Sequence, residues 1–258
     1  MQTPLGIGNT SSAYGERGIV KRLTALRAQH KPKGERLLDV GCGDGSYTVR
    51  LAEGFTKVDG VDIESVRLKM FAERIEGTDL AERITIREMS ASELDFPDDT
   101  FDLVTAIEVV EHVHELDRAL KEIHRVLKPG GLFQLTTPNR WFPLETHGVL
   151  FRGRRYRSTR APFLTWVRPL HRRMADARTF TGAEIRGHLT RAGLRTRRLD
   201  YIGPPFDLMA GVGRFVRPVT DWMEGTPLRF LGMALVVTAE KPVPAVQTAR
   251  TPSENAGR

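Results

Sequence analysis

Two apolar periods alternate along this chain. Short runs rich in Leu, Val and Ile, at 36–40, 58–62, 83–87, 101–107 and 132–136, have the length and composition of buried strands. Between them lie 19–29, 46–53, a stretch through Met70 and Ile75, and 116–127, where apolar residues recur every three or four positions, as in helices. Leu116, Leu120, Ile123 and Leu127 share one helical face, and Lys128-Pro129-Gly130-Gly131 stops that helix just beyond its end. Strands separated by helices need crossover connections. The pattern therefore predicts a mostly parallel sheet covered on both faces, a doubly wound α/β domain.

After Thr137 the rhythm changes, and 138–178 shows no clean period. It resumes with a helix over 182–192, a strand over 195–201, an apolar segment over 206–223 and a last strand near 231–239. Residues 1–30 read as an arm followed by a helix, and 242–258 as a polar, disordered tail. One domain over 1–241, carrying an insertion at 138–180, is the expected organisation.

A chain of 258 residues, 40% hydrophobic and 28% charged, can build a full core without staples. No apolar run reaches the roughly 18–20 residues of a membrane span; the stretches 206–219 and 230–239 are broken by Arg214, Arg217 and Gly232. The N-terminal residues lack a basic start followed by an apolar stretch, so no secretory signal is expected and the cytoplasm is the expected location. Cys42 is the single cysteine, which excludes an intrachain disulfide and a cysteine-rich metal cluster; no metal site is predicted. The net charge of +7 comes from 31 Arg and 8 Lys against 32 acids. A bias toward arginine throughout a chain follows coding composition as readily as it follows a partner, so the location of the arginines matters more than their sum.

The strongest local feature is the run from Leu37 to Gly45, LLDVGCGDG, in which a strand enters a glycine-rich turn and then a helix. Glycine permits positive φ and close approach of a ligand to the backbone, and the helix behind offers N–H groups to an anion. A nicotinamide-dinucleotide fingerprint would carry a third glycine where Ser46 stands. Asp62, at the end of the second strand, is placed to accept hydrogen bonds from ribose hydroxyls. Taken singly, neither feature separates a dinucleotide from another adenosine cofactor.

Four segments in order, LLDVGCGDGSYTVRLA (37–52), VDGVDIES (58–65), SASELDFPDDTFDLVTAIEVVEHV (90–113) and HRVLKPGGLFQLTTPNR (124–140), resemble the class I S-adenosylmethionine-dependent methyltransferases. Within that class they are most similar to the type-11-like group that includes the ubiquinone-biosynthesis O-methyltransferases. The resemblance implies a Rossmann-like seven-stranded sheet of order 3-2-1-4-5-7-6 with the last strand antiparallel, and S-adenosylmethionine as cofactor. It places Gly41, Gly43 and Asp44, with Asp39 and Gly45 beside them, around the methionine end of the cofactor. Asp62 falls on the ribose, Ile63 against the adenine, and Ser90 and Ala91 at the adenine edge, where the family usually has aspartate in the position of Ser90. Glu108 would lie beside the sulfonium and the acceptor.

Methyl transfer is an in-line displacement at an activated carbon, so positioning dominates and a base is needed only for a protonated nucleophile. His112, following Glu108 and Glu111, is the candidate base or substrate orienter, with a structural cap as the alternative. The insertion holds ten arginines between Arg140 and Arg178 against Glu145 and Asp176, interleaved with Trp141, Phe142, Phe151, Tyr156, Phe163 and Trp166. A basic, aromatic segment at the carboxyl ends of the strands suits a large amphipathic or anionic acceptor, or an anionic membrane surface. Asn139, Trp141, His147 and Tyr14 are candidate substrate contacts by location. The expected reaction is methylation of a hydroxyl on a small or lipid-like metabolite, with N-methylation as the alternative. The fourth strand ends in Ala106-Ile107-Glu108 and not in the Asn-Pro-Pro-aromatic motif that holds a flipped base, which argues against a nucleic-acid substrate.

Overall fold

The computed structural model describes residues 15–151, 154–156, 162–175, 177–203, 218, 222–223 and 225–244. Its main sheet is formed by β1 (Gly34–Val40), β2 (Phe55–Asp62), β3 (Ile84–Glu88), β4 (Phe101–Ile107) and β5 (Leu127–Pro138), which are joined later in the chain by β8 (Arg195–Ile202) and β9 (Ala234–Glu240). Two short strands, β6 (Val149–Phe151) and β7 (Arg154–Tyr156), pair apart as a hairpin within the insertion. The sheet order is β3-β2-β1-β4-β5-β9-β8. Numbered within the sheet alone this is 3-2-1-4-5-7-6, with β9 antiparallel to both neighbours, the predicted topology.

The central strands are apolar on both sides because both sides are covered. Leu37, Leu103 and Ile107 face a core shared with α1 (Gly15–Gln29) and α3 (Ser65–Ile75). Leu38, Val40, Val104 and Ala106 face a second core, shared with α4 (Leu116–Val126) and α6 (Gly182–Arg191). Each buried Leu or Ile contributes roughly 1.5–3 kcal/mol of transfer free energy, which suffices to fix the helix faces. In α4 the buried residues Leu116, Ala119, Leu120, Ile123 and Val126 follow the helical period. In α6 Thr181 and Glu184 form a reciprocal capping box at the N-terminus.

Helix α1 buries Ile19, Leu23 and Leu26, and Arg22 lies in the same stripe. Its C-terminal end is tied to the late strands. Gln29 Nε2 donates to the Val236 carbonyl at 2.9 Å, Thr238 Oγ1 donates to Gln29 Oε1 at 2.7 Å, and Gln134 Nε2 donates to the carbonyls of Leu26 and His30.

Several elements differ from the sequence expectation. The helix expected over 46–53 is a single turn, α2 (Thr48–Leu51), followed by a 3-10 turn over Ala52–Gly54. The chain must already face into β2 at Phe55, so there is no length for more. Strand β5 begins at Leu127 and not at 132: Leu127 pairs with Phe101 before Lys128-Pro129-Gly130-Gly131 bulges out, and pairing resumes at Leu132 with Leu103. The final strand starts three residues later than expected, behind a 3-10 turn over Pro227–Leu231. The insertion contains α5 (Arg168–Met174) and the β6–β7 hairpin, which no period announced. Residues 1–14, 204–217 and 245–258, comprising the arm with Tyr14, most of the apolar segment and most of the tail, lie outside the described residues. No helix among the described residues is long and apolar enough to cross a membrane.

The turn after β1 carries positive φ at Gly41, Gly43 and Gly45 (70°, 55° and 77°). A methyl group on Gly41 would strike Val109, and one on Gly45 would strike the Phe71 ring. Gly45→Ala combines left-handed strain with overpacking of Phe71, and a loss of about 3 kcal/mol is expected from the two together. Urea denaturation at constant m-value should show this loss; a midpoint unchanged from wild type would mean that the turn has another conformation.

Candidate active site

The carboxyl ends of β1, β2, β4 and β5 meet where the strand order reverses between β1 and β4, the usual location of a crevice in an open α/β sheet. The glycine turn forms one wall. Gly41 N–H and Cys42 N–H both donate to the Val61 carbonyl, Gly45 N–H donates to Cys42, and Gly43 N–H donates to Asp62 Oδ2 at 2.9 Å. These donors are used inside the fold, and α2 is only four residues long. The expected anion cradle is therefore not what the turn provides. Its glycines let Val109 and Phe71 pack against the backbone at Gly41 and Gly45, and acidic side chains surround it.

Asp39 is buried and accepts from Thr48 Oγ1 at 2.6 Å and Thr105 Oγ1 at 2.7 Å; burial pushes its carboxyl up to about 6 against the pull of those two hydroxyls. Asp62 is buried and accepts the Gly43 and Glu64 N–H groups, one on each oxygen. Among the described residues neither carboxylate is paired with a cationic side chain. Asp44, by contrast, is bound by Arg74 at 2.9 Å and by Ser46 N–H, which hold its carboxyl below the ordinary range against the opposing effect of burial. Between these acids, burial first and then the negative charge of Asp39, Asp62 and Asp44 push the Cys42 thiol far up. The turn is an electronegative pocket edge in a basic protein.

On the outer lip Ile63 is 69% exposed directly after Asp62, an apolar surface left open beside two carboxylates. Ser90 is exposed and Ala91 half-buried at the end of β3, where Ser90 Oγ accepts from Ser92 N–H at 3.2 Å.

The opposite wall is the loop after β4. Glu108 has φ 57°, a strained conformation for a residue with a Cβ, and its side chain is buried. Arg22 Nη2 donates to Glu108 Oε2 at 3.1 Å, and Thr136 Oγ1 donates to Oε1 at 2.9 Å. Burial alone would raise this carboxyl; Arg22, and after it His147, outweigh burial and hold it below the ordinary range. Glu111 has the opposite fate. Burial, followed by the negative Glu108, pushes its carboxyl well up, and Thr137 Oγ1 donates to Oε2 at 3.2 Å. His112 lies at the mouth with one side open to solvent. The protein around it, and then His147, lower its imidazole to about 4, so it is neutral at pH 7. The two imidazoles stand edge to face, 5.3 Å apart.

Asn139 is corrected from substrate contact to structural tie. It is 1% exposed, donates to the carbonyls of Phe230 at 2.7 Å and Gly232 at 2.6 Å, and accepts from Trp141 N–H. The Trp141 side chain is exposed, whereas His147 is brought against His112.

Two arginines that the sequence reading left aside organise this wall. Arg22 is fully buried on α1, and Arg178 donates to the carbonyls of Val110, Glu111 and Val113, fixing the loop that carries Glu111 and His112. The signal for Arg22 was present in its position, one turn from Ile19 and Leu26 on the buried stripe. Arg178 gave no local signal. Two depressions elsewhere, of about 410 Å³ beside Arg186 and Thr190 and about 220 Å³ beside Gln29 and Arg198, lack such a convergence of buried titratable groups.

Residues 38–135 match the family described as Methyltransferase domain. The chain is 34% identical over 155 residues to a demethylmenaquinone methyltransferase of Symbiobacterium thermophilum, covering 59% of this chain and 61% of that protein. It is 34% identical over 103 residues to the 27-O-demethylrifamycin SV methyltransferase of Amycolatopsis mediterranei, covering 40% and 38%. It is 32% identical over 126 residues to a ubiquinone/menaquinone biosynthesis C-methyltransferase of Pseudoalteromonas translucida, covering 48% and 50%. The matched region thus spans between 38% and 61% of these relatives. The crystal structure of an S-adenosylmethionine dependent methyltransferase from Mesorhizobium loti shares the fold, with a TM-score of 0.61 and 22% identity over 85% of this chain and 97% of that one.

Arg22→Ala would strip the buried Glu108 carboxyl of its cationic partner, so that it must either hold a bare charge or take up a proton at neutral pH, at a cost of about 3–5 kcal/mol. Because the folded-state pKa of Glu108 lies below the ordinary 4.5, its contribution is present above that value and lost as pH falls through the folded pKa. The stability gap between wild type and Arg22→Ala should therefore narrow below pH 4.5, when the variant's carboxyl is neutral in both states. Denaturation at pH 7 and in acid checks this, and a gap independent of pH contradicts it.

Proposed function

We propose that this chain, which carries a methyltransferase domain over residues 38–135, transfers a methyl group from S-adenosylmethionine to a hydroxyl of a small or lipid-like metabolite. The observation that supports the donor best is the pair of buried carboxylates, Asp39 and Asp62, without a cationic side-chain partner at a glycine turn. A pyrophosphate would be repelled there, whereas a ligand carrying positive charge is attracted. The turn at Gly41, Gly43 and Gly45 is the segment against which the amino-acid end of the donor would lie. Asp62 retains lone pairs for the ribose hydroxyls beyond its two backbone bonds, and Ile63 offers its exposed face to the adenine. When bound, the donor supplies an electrophilic methyl carbon on sulfonium.

The chain's own residues then act on the acceptor. Glu108, kept ionised by Arg22, contributes negative charge at the end of β4. His112, neutral at pH 7 and open to the crevice, orients the acceptor hydroxyl and accepts its proton. The name of the rifamycin relative includes an O-methylated position, which favours oxygen as nucleophile. The quinone relative is named a C-methyltransferase, and that supports a second reading, transfer to a ring carbon activated by the same deprotonated hydroxyl.

A lipid-like acceptor is supported by the insertion. Phe163, Trp166, Val167 and Leu170 are each 46–52% exposed, and Arg168, Arg172 and Arg173 are exposed on the same short helix. Apolar side chains ringed by arginine match an anionic bilayer surface, from which such an acceptor would be drawn.

Calorimetric titration tests the donor. S-adenosylmethionine and its demethylated product should bind and NAD should not, and Asp62→Ala should weaken binding about 10- to 100-fold, as loss of charge-assisted hydrogen bonds does. Binding of NAD in place of the sulfonium, or an Asp62→Ala variant with wild-type affinity, overturns the reading. Vesicle sedimentation tests the surface: the chain should pellet with anionic and not zwitterionic vesicles, less at high salt and less for Arg172→Glu. Equal partition onto both vesicle types refutes it.

A further inference from the structure

The donor proposed above carries a carboxylate as well as positive charge, and the glycine turn is a poor place for it. The N–H groups of Gly41, Cys42, Gly43 and Gly45 are spent within the fold, and Asp39, Asp44 and Asp62 surround them. A carboxylate brought to this edge without a cation would be repelled. Most cations at hand are committed. Arg22 holds Glu108 at 3.1 Å, Arg74 holds Asp44 at 2.9 Å, and Arg50 holds the Ser46 carbonyl and Glu16. In the insertion His171 is closed on Glu145 at 2.5 Å, and that carboxylate also accepts the His147 backbone N–H.

Arg67 is placed differently. Helix α3 presents Arg67, Phe71 and Arg74 to the turn at helical spacing; the Phe71 ring lies against Gly45 and Gly60, and Arg74 takes Asp44. Arg67 stands one helical turn nearer the carboxyl end of β2, with Nη1 3.1 Å from the point where a Cβ on Gly43 would be. Its guanidinium faces the crevice: after burial and His147, Arg67 is among the groups that lower the His112 imidazole. Its ion-pair partner is Glu64, three residues back at 3.3 Å and 43% exposed. A pair so open to water is weak, and a ligand carboxylate competes with Glu64 on favourable terms. We propose that Arg67 binds the carboxylate at the amino-acid end of the donor, an inference that rests on S-adenosylmethionine being that donor.

The arrangement separates the charges of the ligand. Asp39 and Asp62 draw its positive groups to one side of the turn, and Arg67 draws the carboxylate toward α3. The planar fork of a guanidinium matches the two oxygens of a carboxylate, which an ammonium does only as a point charge. Arg67 therefore selects the donor over nucleosides that share its adenosine and sulfur and lack the carboxylate. No local pattern marks this residue among the 31 arginines, because Gly43 lies across a full strand and turn from it in the chain.

Two ligands that differ in one group test the inference: S-adenosylhomocysteine and its decarboxylated analogue, which keeps the amine, the thioether and the adenosine. Calorimetric titration of the wild-type chain should show the decarboxylated analogue binding at least tenfold more weakly. Arg67→Met should weaken S-adenosylhomocysteine at least tenfold, as loss of a charge-assisted bond does, and leave the analogue within twofold of wild type. Arg67→Lys, which keeps the charge without the fork, should fall between, and it serves with the same two ligands if Arg67→Met fails to fold. Equal weakening of both ligands in the variants, or equal wild-type affinity for the two, overturns the inference while leaving the donor intact. A wild-type chain that binds neither ligand overturns the donor reading itself, and this inference with it.

Discussion

The crevice is organised by one buried ion pair, Arg22 with Glu108. It joins the first helix to the end of the fourth strand, across the core that α1 shares with the sheet. Without the guanidinium, a carboxylate could not remain ionised at that depth, nor would a glutamate readily hold the left-handed backbone that turns the chain away from β4. The charge on Glu108 then sets its neighbours. Glu111, three residues on, cannot also ionise at ease: Glu108 is held down by Arg22 while burial and the Glu108 charge push Glu111 up, so the two carboxyls are driven apart. The apolar contacts of Ile19, Leu23 and Leu26 around Arg22 bring the cation in and offset its desolvation.

The electrostatics of the site run against those of the molecule. The chain carries +7 overall, yet Asp39, Asp44 and Asp62 surround the glycine turn, and Glu108 lies across from them. The arginines are spent at the edges: Arg74 on Asp44, Arg178 on loop carbonyls, Arg168, Arg172 and Arg173 on the outer surface. The interior of the crevice is acidic and the described outer surface basic, so the two favour ligands of opposite charge.

The strands and helices were legible in the sequence because each central strand is buried on both faces and each helix shows one apolar stripe, whereas the strand order was implied by the resemblance of four segments to a known class. Turn chemistry was less so. LLDVGCGDG announces a glycine turn, but whether its N–H groups serve a ligand or the fold depends on where Val61 and Asp62 end, which is a matter of register. Asn139 looked like a substrate contact from its place after β5; the loop from Phe230 to Gly232, more than ninety residues later, uses up its amide. Arg22, Arg178 and the Glu145–His171 pair act through partners far along the chain, and local pattern carries no information about such pairs. The stretch 138–180 shows in the sequence only as a break in rhythm, because its hairpin and α5 are too short to build a period.

Strand β9 lies between β5 and β8 and also receives Gln29 from α1 through Val236 and Thr238. A nascent chain leaving the ribosome therefore holds β5 with an open edge, and Gln29 at the end of α1 without its partners, until Val236 and Thr238 have been synthesised. Closure of the sheet and seating of the first helix become one late, long-range event. Until then Arg22 has no fixed position, and the crevice assembles only as the last strand is threaded into its slot.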